Sequence, residues 1–158
     1  WIAEGTHAMS AETDLVKLYS GRILALTTEI PHQQRLEAPS ATVKRRAPLC
    51  GSTVTVDVVV EDGRITRYGQ DVKACALGQA AAAIVGKNVI GTDRVQIVAG
   101  RDALKAMLKE DGPTPPAPFE ELEILRPAKD YRNRHASILL TLEALTEAMD
   151  RVDRSDCA

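Results

Sequence analysis

The chain has 158 residues, of which 44% are hydrophobic, 27% charged and only 3% aromatic. Its 20 Lys and Arg residues against 22 Asp and Glu residues give a formal net charge of −2. This balance provides no broad basic surface for nucleic acid or for an anionic membrane. The longest apolar run, at 80–85, is far shorter than the ~20 residues of a membrane span. We therefore expect one globular domain without nucleic acid or membrane as a partner.

Three cysteines are spread along the chain: Cys50, Cys75 and Cys157. Their odd number and wide spacing do not fit a disulfide scaffold, so we expect a reduced, cytoplasmic protein. Residues 1–8 lack the features of a signal peptide, and we expect them to be a cloning remnant ahead of a natural start at Met9. A single domain is predicted over 9–150, followed by a polar, frayed tail over 151–158.

The first elements follow from periodicity. Ser10 is expected to cap an amphipathic helix, whose apolar residues recur with three-and-four spacing. These residues are Leu15, Leu18, Tyr19, Ile23 and Leu26. Residues 30–40 have no period and predict a loop, and residues 41–46 predict a short strand.

Residues 53–72 predict a β-hairpin. Alternating valines from Val54 to Val60 form one face of a half-buried strand, and Asp57 lies on the other face. Asp62 and Gly63 follow directly and favour a tight turn with positive φ at both residues. With the strand at 41–46, the hairpin predicts a three-stranded antiparallel meander.

The rest of the chain reads as helical. The Ala-rich segment after Cys75 predicts a helix that ends at Gly86 or Gly91. A second helix is expected to begin at the cap Thr92 and to end at Asp111.

Four prolines within 113–118 predict a stiff linker. A short helix over 119–125, a basic loop over 129–134 and a long helix through Met149 are expected after it. The predicted fold class is α+β, with a small antiparallel three-stranded sheet packed against several helices.

Cys50 and Cys75 are candidates for chemistry because both lie at the ends of predicted elements. Cys50 precedes the first long strand, and Cys75 lies where the hairpin is followed by a helix. Free backbone N–H groups and the helix dipole can stabilise a thiolate at such positions. Because a hairpin returns the chain to its starting edge, the two thiols can lie close together. The alternative for each is a small buried hydrophobic residue, as most free cysteines are.

His135 is a third candidate, at the start of the predicted last helix. Together with Cys50 and Cys75 it offers the nitrogen and sulfur donors that zinc accepts, one ligand short of a tetrahedral site. The alternative is an exposed or capping histidine. Cys157, near the end of the chain, is expected to be a bystander. His32 is expected to be exposed in the predicted loop, and the sequence leaves open whether it folds back toward the thiols.

Four motifs occur in a characteristic order: Pro48-Leu49-Cys50-Gly51, Asp62-Gly63-Arg64-Ile65, Cys75-Ala76 and His135-Ala136-Ser137-Ile138-Leu139. In this order they resemble the iron–sulfur cluster scaffold family of NifU, IscU and SufU type proteins, over residues 12–150. The resemblance implies the same α+β fold and a non-enzymatic role. It also implies a site where a cysteine desulfurase delivers sulfur and an iron–sulfur cluster or a zinc ion sits, with recipient apoproteins as further partners.

Two positions depart from that family pattern. Ser52 stands where the family has aspartate, and Ala136 stands where it has a third cysteine behind the histidine. A methyl group cannot coordinate a metal, and a hydroxyl is a poorer ligand than a carboxylate. The resemblance therefore implies weak or absent cluster binding, with Cys50, Cys75 and His135 as the remaining metal ligands.

Three hypotheses remain open at this point. The first is a scaffold or carrier that binds iron, zinc or a labile cluster. The second, from the enzyme class, is a zinc-linked sulfur acceptor of the sulfurtransferase type, which takes a persulfide from a cysteine desulfurase on Cys50 or Cys75 and passes it on. The third is a divergent paralogue that keeps the fold but has lost the metal site. The sequence leaves open whether the protein forms a homodimer around a shared cluster.

Overall fold

Three strands form an antiparallel sheet at the centre of the described chain. The computed structural model describes residues 21–48 and 51–157, with side chains as far as Arg154. The strands follow in the order β1 (Ala41–Arg46), β2 (Thr53–Glu61) and β3 (Arg64–Lys73). Asp62 and Gly63 connect β2 to β3 with φ angles of 55° and 78°. The predicted meander and its tight turn are confirmed.

Helices pack against this sheet and against one another. They are α1 (Gly21–Thr28), α2 (Ala76–Asn88), α3 (Arg94–Glu110) and α4 (Arg132–Cys157), with a 3₁₀ helix, η1 (Glu120–Asp130), before α4. Helix α4 packs across β1 and β2 and also contacts α2 and α3. The predicted α+β class is confirmed. No helix among the described residues is long and apolar enough to cross a bilayer.

The predicted N-terminal helix falls only partly within the described residues. Ile23 and Leu26 of α1 are buried in the core, as the spacing predicts. The expected cap, Ser10, lies outside the described residues, as does all of 1–20. The apolar positions that fall there are Leu15, Leu18 and Tyr19.

Strand β2 is buried on both faces, so the prediction of a half-buried strand is wrong. Val56 and Asp57, which lie on opposite faces, are both fully buried. The loop between α1 and β1 covers the outer face. Within it Arg35 Nε donates a hydrogen bond to Asp57 Oδ2 at 2.6 Å, and the Leu36 backbone N–H donates to the same oxygen at 3.0 Å. A non-local segment therefore buries a carboxylate that the local pattern assigns to solvent.

Two helix boundaries differ from the prediction: α2 ends at Asn88 and not at Gly86 or Gly91, and α3 has a different cap. Asp93, not Thr92, caps α3. The Asp93 carboxylate accepts a hydrogen bond from the Gln96 backbone N–H at 2.9 Å. In return, Gln96 Oε1 accepts a hydrogen bond from the Asp93 backbone N–H at 3.1 Å, which completes a capping box. The Thr92 hydroxyl instead donates to the Val89 carbonyl oxygen. Asp111 ends α3 with a left-handed φ of 52°, as predicted.

The segment before α4 differs most from the prediction. Instead of a short helix and a basic loop at 129–134, η1 continues to Asp130 and α4 begins at Arg132. Phe119 is fully buried just before η1, with its ring against Gly100 of α3. This contact anchors the segment to the core.

Helix α4 continues beyond the predicted domain boundary at residue 150 and ends at Cys157. Arg151 donates one hydrogen bond to the Thr42 carbonyl oxygen and another to Glu147 Oε2, both at 2.7 Å. Val152 is only 7% exposed. These contacts hold the polar end of the helix against β1.

Candidate functional site

Cys75 lies at the predicted junction between β3 and α2. It is the N-cap of α2, with an extended backbone, and its side chain makes no capping hydrogen bond. The residue is partly exposed, and its thiol is not in a disulfide. Cys75 therefore lies at the positive end of the α2 dipole, and its partly buried side chain also packs against the core.

Two buried serine hydroxyls connect Cys75 to the loop that precedes β2. Cys75 Sγ lies 3.4 Å from Ser137 Oγ, which donates a hydrogen bond to Ser52 Oγ at 2.9 Å. Ser137 is 1% exposed and Ser52 is 3% exposed. Because Thr53 pairs with Lys73, the start of β2 and the end of β3 meet at this edge of the sheet. One thiol and two hydroxyls thus form a polar cluster at the sheet edge.

The chain that follows Cys50 reaches the same edge. The Gly51 backbone N–H donates to the Ala47 carbonyl oxygen at 2.9 Å, and the Ala47 backbone N–H donates to the Ser52 carbonyl oxygen at 2.8 Å. These bonds close the loop on both sides of residues 49–50. Cys50 itself lies outside the described residues, so its proximity to Cys75 stays a prediction.

His135 is buried in the first turn of α4 and is only 3% exposed, so the alternative of an exposed histidine is wrong. Its Nε2 atom lies 3.0 Å from the Ala128 carbonyl oxygen and 3.1 Å from that of Lys129. Because carbonyl oxygens can only accept hydrogen bonds, Nε2 carries the proton in this arrangement. A metal could then be bound only through Nδ1.

The predicted metal site is only partly covered by the described residues. Within them, no group of three or more His, Cys, Asp or Glu side chains is arranged to hold a metal ion. The predicted set of Cys50, Cys75 and His135 includes one residue outside that part of the chain and stays a prediction. Ala136, at the expected cysteine position, is partly buried and packs against the core.

Ser137 is the residue of this cluster that the sequence analysis did not single out. It is a polar side chain within the apolar stripe of α4, and Thr141 repeats this pattern one turn later. A buried hydroxyl in such a stripe needs a hydrogen-bond partner. That signal could have identified Ser137 as part of a polar site.

The structure describes His32 in full but not the side chain of Cys157. His32 is exposed and contacts the edge of the Tyr68 ring, with the ring centroids 6.0 Å apart. Its carbonyl oxygen accepts a hydrogen bond from the Gln70 backbone N–H at 2.8 Å. Cys157 is the last residue of α4, and its side chain lies outside the described part, so its role stays a prediction.

Gly78, in the first turn of α2, allows α4 to approach Cys75. A Cβ atom on Gly78 would lie 2.4 Å from Ser137 Oγ and 2.9 Å from Ala74 Cβ. Gly78→Ala should displace Ser137 and lower the free energy of unfolding by about 1–3 kcal/mol, in spite of the ~1 kcal/mol gain in helix propensity. Urea denaturation measures this change. Gly21→Ala is the control, because no described atom lies within 4 Å of its added methyl group. Equal stability of the Gly78 variant and the wild type would contradict the close approach.

No protein-family model matches the sequence, and curated proteins give no significant match. Among solved structures, the chain is similar to a nitrogen-fixing NifU-like protein (N-terminal) from Brucella abortus. The two share 38% sequence identity over 89% of this chain and 98% of that chain, with a TM-score of 0.87.

A second similar structure is that of a SufU protein from the thermophile Fervidobacterium islandicum AW-1. That protein is described as an iron–sulfur cluster assembly scaffold protein for the SUF system. It shares 17% identity over 85% of this chain and 98% of that chain, with a TM-score of 0.77.

The antiparallel three-stranded sheet with its packed helices is thus the fold of NifU-like and SufU-like proteins. The SufU similarity, at 17% identity, supports the fold alone. The similarity to the Brucella protein is stronger, at 38% identity over nearly all of that chain. The chain belongs to the NifU-like family of iron–sulfur cluster assembly scaffold proteins.

Proposed function

We propose that this protein is a non-enzymatic iron–sulfur cluster assembly scaffold that receives sulfur at Cys50 and Cys75. One observation carries the proposal: Cys75 Sγ lies 3.4 Å from Ser137 Oγ, which is hydrogen-bonded to Ser52, two residues after Cys50. If Cys50 lies at this edge of the sheet, as we predict, its thiol and that of Cys75 would bind iron, zinc or a labile cluster as cargo. Membership of the NifU-like family supports this role.

The donors around Cys75 favour weak, exchangeable binding of this cargo. Ser52 offers a hydroxyl at the expected aspartate position, and Ala136 offers no donor at all. His135 can contribute only through Nδ1, or after Nε2 releases its two carbonyl partners. Clusters are usually held by four thiolates or close substitutes. The missing ligands would therefore come from a partner or from a second copy of the chain in a homodimer.

Sulfur transfer to Cys75 needs no metal and no external oxidant. The Cys75 thiolate attacks the outer sulfur of a persulfide on a cysteine desulfurase, and a new S–S bond forms at Cys75. The S–S bond of the donor breaks, and the desulfurase cysteine leaves as a thiolate. Only the outer sulfur atom is transferred from the desulfurase to Cys75, and its oxidation state does not change. The position of Cys75 at a helix N-terminus favours this attack. Recipient apoproteins would take the assembled cargo in the reducing cytoplasm.

Metal content tests the site directly. Iron and zinc are measured by elemental analysis of anaerobically purified protein, and cluster absorption is measured after reconstitution with iron and sulfide. We expect bound metal and visible charge-transfer absorption in the wild type, and loss of both in Cys50→Ser and in Cys75→Ser. Cys157→Ser, the matched control, should behave as the wild type does. His135→Ala shows whether the imidazole is the third ligand.

Two results would contradict this proposal. Metal content and absorption that are unchanged in both cysteine variants would place the cargo elsewhere. A wild type that binds no metal, forms no cluster and accepts no sulfur would instead be a divergent paralogue that retains the fold.

A further inference from the structure

A cleft of about 560 Å³ lies between α3 and α4, on the side of α4 that carries Ala136. The lining of the cleft includes two apolar residues, Ala136, which is partly buried, and Leu139, which is 5% exposed. Basic side chains from both helices line the same space. They are Arg101, Lys105 and Lys109 from α3 and Arg132 from α4.

The positive charge of this cleft is not compensated by its own carboxylates. Asp102 pairs with Arg101 at 2.9 Å, and Glu143 lies 3.9 Å from Arg45 of β1. Among the described residues, no carboxylate lies within ion-pair distance of the three remaining cations. These are Lys105, Lys109 and Arg132. A protein of net charge −2 thus concentrates along one cleft three positive charges without an ion-pair partner in the described part of the chain.

We propose that this cleft binds an acidic segment of a partner protein. Lys105 and Lys109 lie one helical turn apart, about 6 Å along the axis of α3. In an extended peptide, residues i and i+2 are about 6.8 Å apart on one face, so alternate carboxylates match this spacing. An apolar side chain between them can contact Ala136 and Leu139. The result is an apolar centre with a charged rim, as in other protein interfaces.

Other anions fit this cleft less well. A single phosphate cannot reach cations that are spread over a helical turn and the facing helix. Nucleic acid would need stacking side chains and a wider basic surface, whereas the chain is only 3% aromatic and has a negative net charge. A lining that combines basic and apolar side chains favours a peptide as the ligand.

The position of the cleft relates it to the thiol site. Ala136 precedes Ser137, whose hydroxyl contacts Cys75 Sγ. A segment bound over Ala136 would anchor its parent protein beside Cys75, and charge complementarity would accelerate the encounter. The inference rests on the proposed function only for the kind of partner, one that exchanges sulfur or cluster with this site. Binding of the segment itself requires no metal and no persulfide.

Peptide binding to the full chain tests this inference. The probe is a fluorescent peptide of alternating Glu and Leu residues, and its anisotropy is measured at several salt concentrations. A second peptide with Gln in place of Glu tests the charge requirement. Lys105→Gln/Lys109→Gln should weaken binding of the acidic peptide roughly three- to tenfold and flatten its salt dependence. The control Lys44→Gln/Arg67→Gln removes the same charge from exposed positions on the sheet and should leave binding unchanged.

Several results would overturn the inference. Absence of binding to the wild type, equal binding of the Gln peptide, or an equal loss in the control variant would each do so. Displacement of the peptide by inorganic phosphate at the same concentration would point to a simple anion site. Tighter binding of an RNA oligonucleotide, lost in Lys105→Gln/Lys109→Gln, would point to nucleic acid. Because the assay uses neither metal nor desulfurase, these outcomes are independent of the proposed function.

Discussion

Asp57→Asn should lower the free energy of unfolding by about 2–3 kcal/mol, because a buried, charge-assisted hydrogen-bond cluster is lost. The Asp57 carboxylate accepts hydrogen bonds from Arg35, from the Leu36 backbone N–H and from Thr42. An asparagine amide would direct its NH₂ group at some of these donors. Urea denaturation at neutral pH measures the change in stability.

The same carboxylate gives this effect a defined pH dependence. Burial alone would raise the pKa of Asp57, but the hydrogen bonds from Arg35, Thr42 and Leu36 outweigh it and hold that pKa below its ordinary value. A carboxyl with a lowered folded-state pKa contributes stability above its unfolded pKa of about 4 and loses it as the pH falls towards the folded value. The stability difference between the wild type and Asp57→Asn should therefore shrink below about pH 4.

Asp102→Asn is the control for this experiment, since its side chain is 61% exposed on α3. It should change stability by no more than about 0.5 kcal/mol. If Asp57→Asn has an equally small effect at neutral pH, or if its effect is constant down to strongly acidic pH, the carboxylate does not fasten the loop over β2.

Phe119→Ala should lower the free energy of unfolding by about 3–5 kcal/mol, the usual cost of deleting a fully buried phenylalanine. Phe119 is 0% exposed, and its ring fills the space that a side chain on Gly100 would take. Leu122 and Leu125 of η1 are buried beside it. The variant leaves a cavity at the point where η1 joins α3. Denaturant or thermal unfolding measures the loss.

An exposed hydrophobic residue is the control for Phe119. Leu24 in α1 is 48% exposed, and Leu24→Ala should cost far less than Phe119→Ala. A Phe119→Ala variant as stable as Leu24→Ala would mean that the segment before α4 is not anchored through this ring.

The elements that the sequence predicts correctly are those set by local chemistry. The hairpin follows from alternating valines and from Asp62 and Gly63, whose positive φ angles the structure confirms. Cys75 at the start of α2 follows from the change from strand to Ala-rich composition. The left-handed stop at Asp111 follows from its Asp-Gly dipeptide.

The errors arise from contacts between distant segments or from a choice between adjacent residues. The burial of Asp57 depends on Arg35 and Leu36, which no strand pattern can reveal. His135 is buried because η1 brings two carbonyl oxygens to its ring. The shift of the α3 cap to Asp93 could have been predicted, since Gln96 three residues later completes a capping box.

The candidate site also combines features that the local sequence predicts with features that depend on contacts between distant segments. The position of Cys75 at the sheet edge can be predicted from the sequence. The contact of Ser137 with Cys75 depends on the packing of α4 against α2. The place of Cys50 and the ligation of His135 stay predictions. The first depends on residues outside the described part of the chain, and the second depends on Nδ1 of His135 or on release of Nε2 from its two carbonyl partners.

The central claim is that the thiols of Cys50 and Cys75 form a working sulfur-acceptor site. Sulfur uptake, measured from the mass of the intact protein, tests this claim most directly. The protein is incubated with a cysteine desulfurase and cysteine, and its mass is recorded under non-reducing conditions. We predict that the wild type and Cys157→Ser gain sulfur, that Cys75→Ser gains less, and that Cys50→Ser/Cys75→Ser gains none. Sulfur uptake that persists at the wild-type level in the double variant would contradict the account.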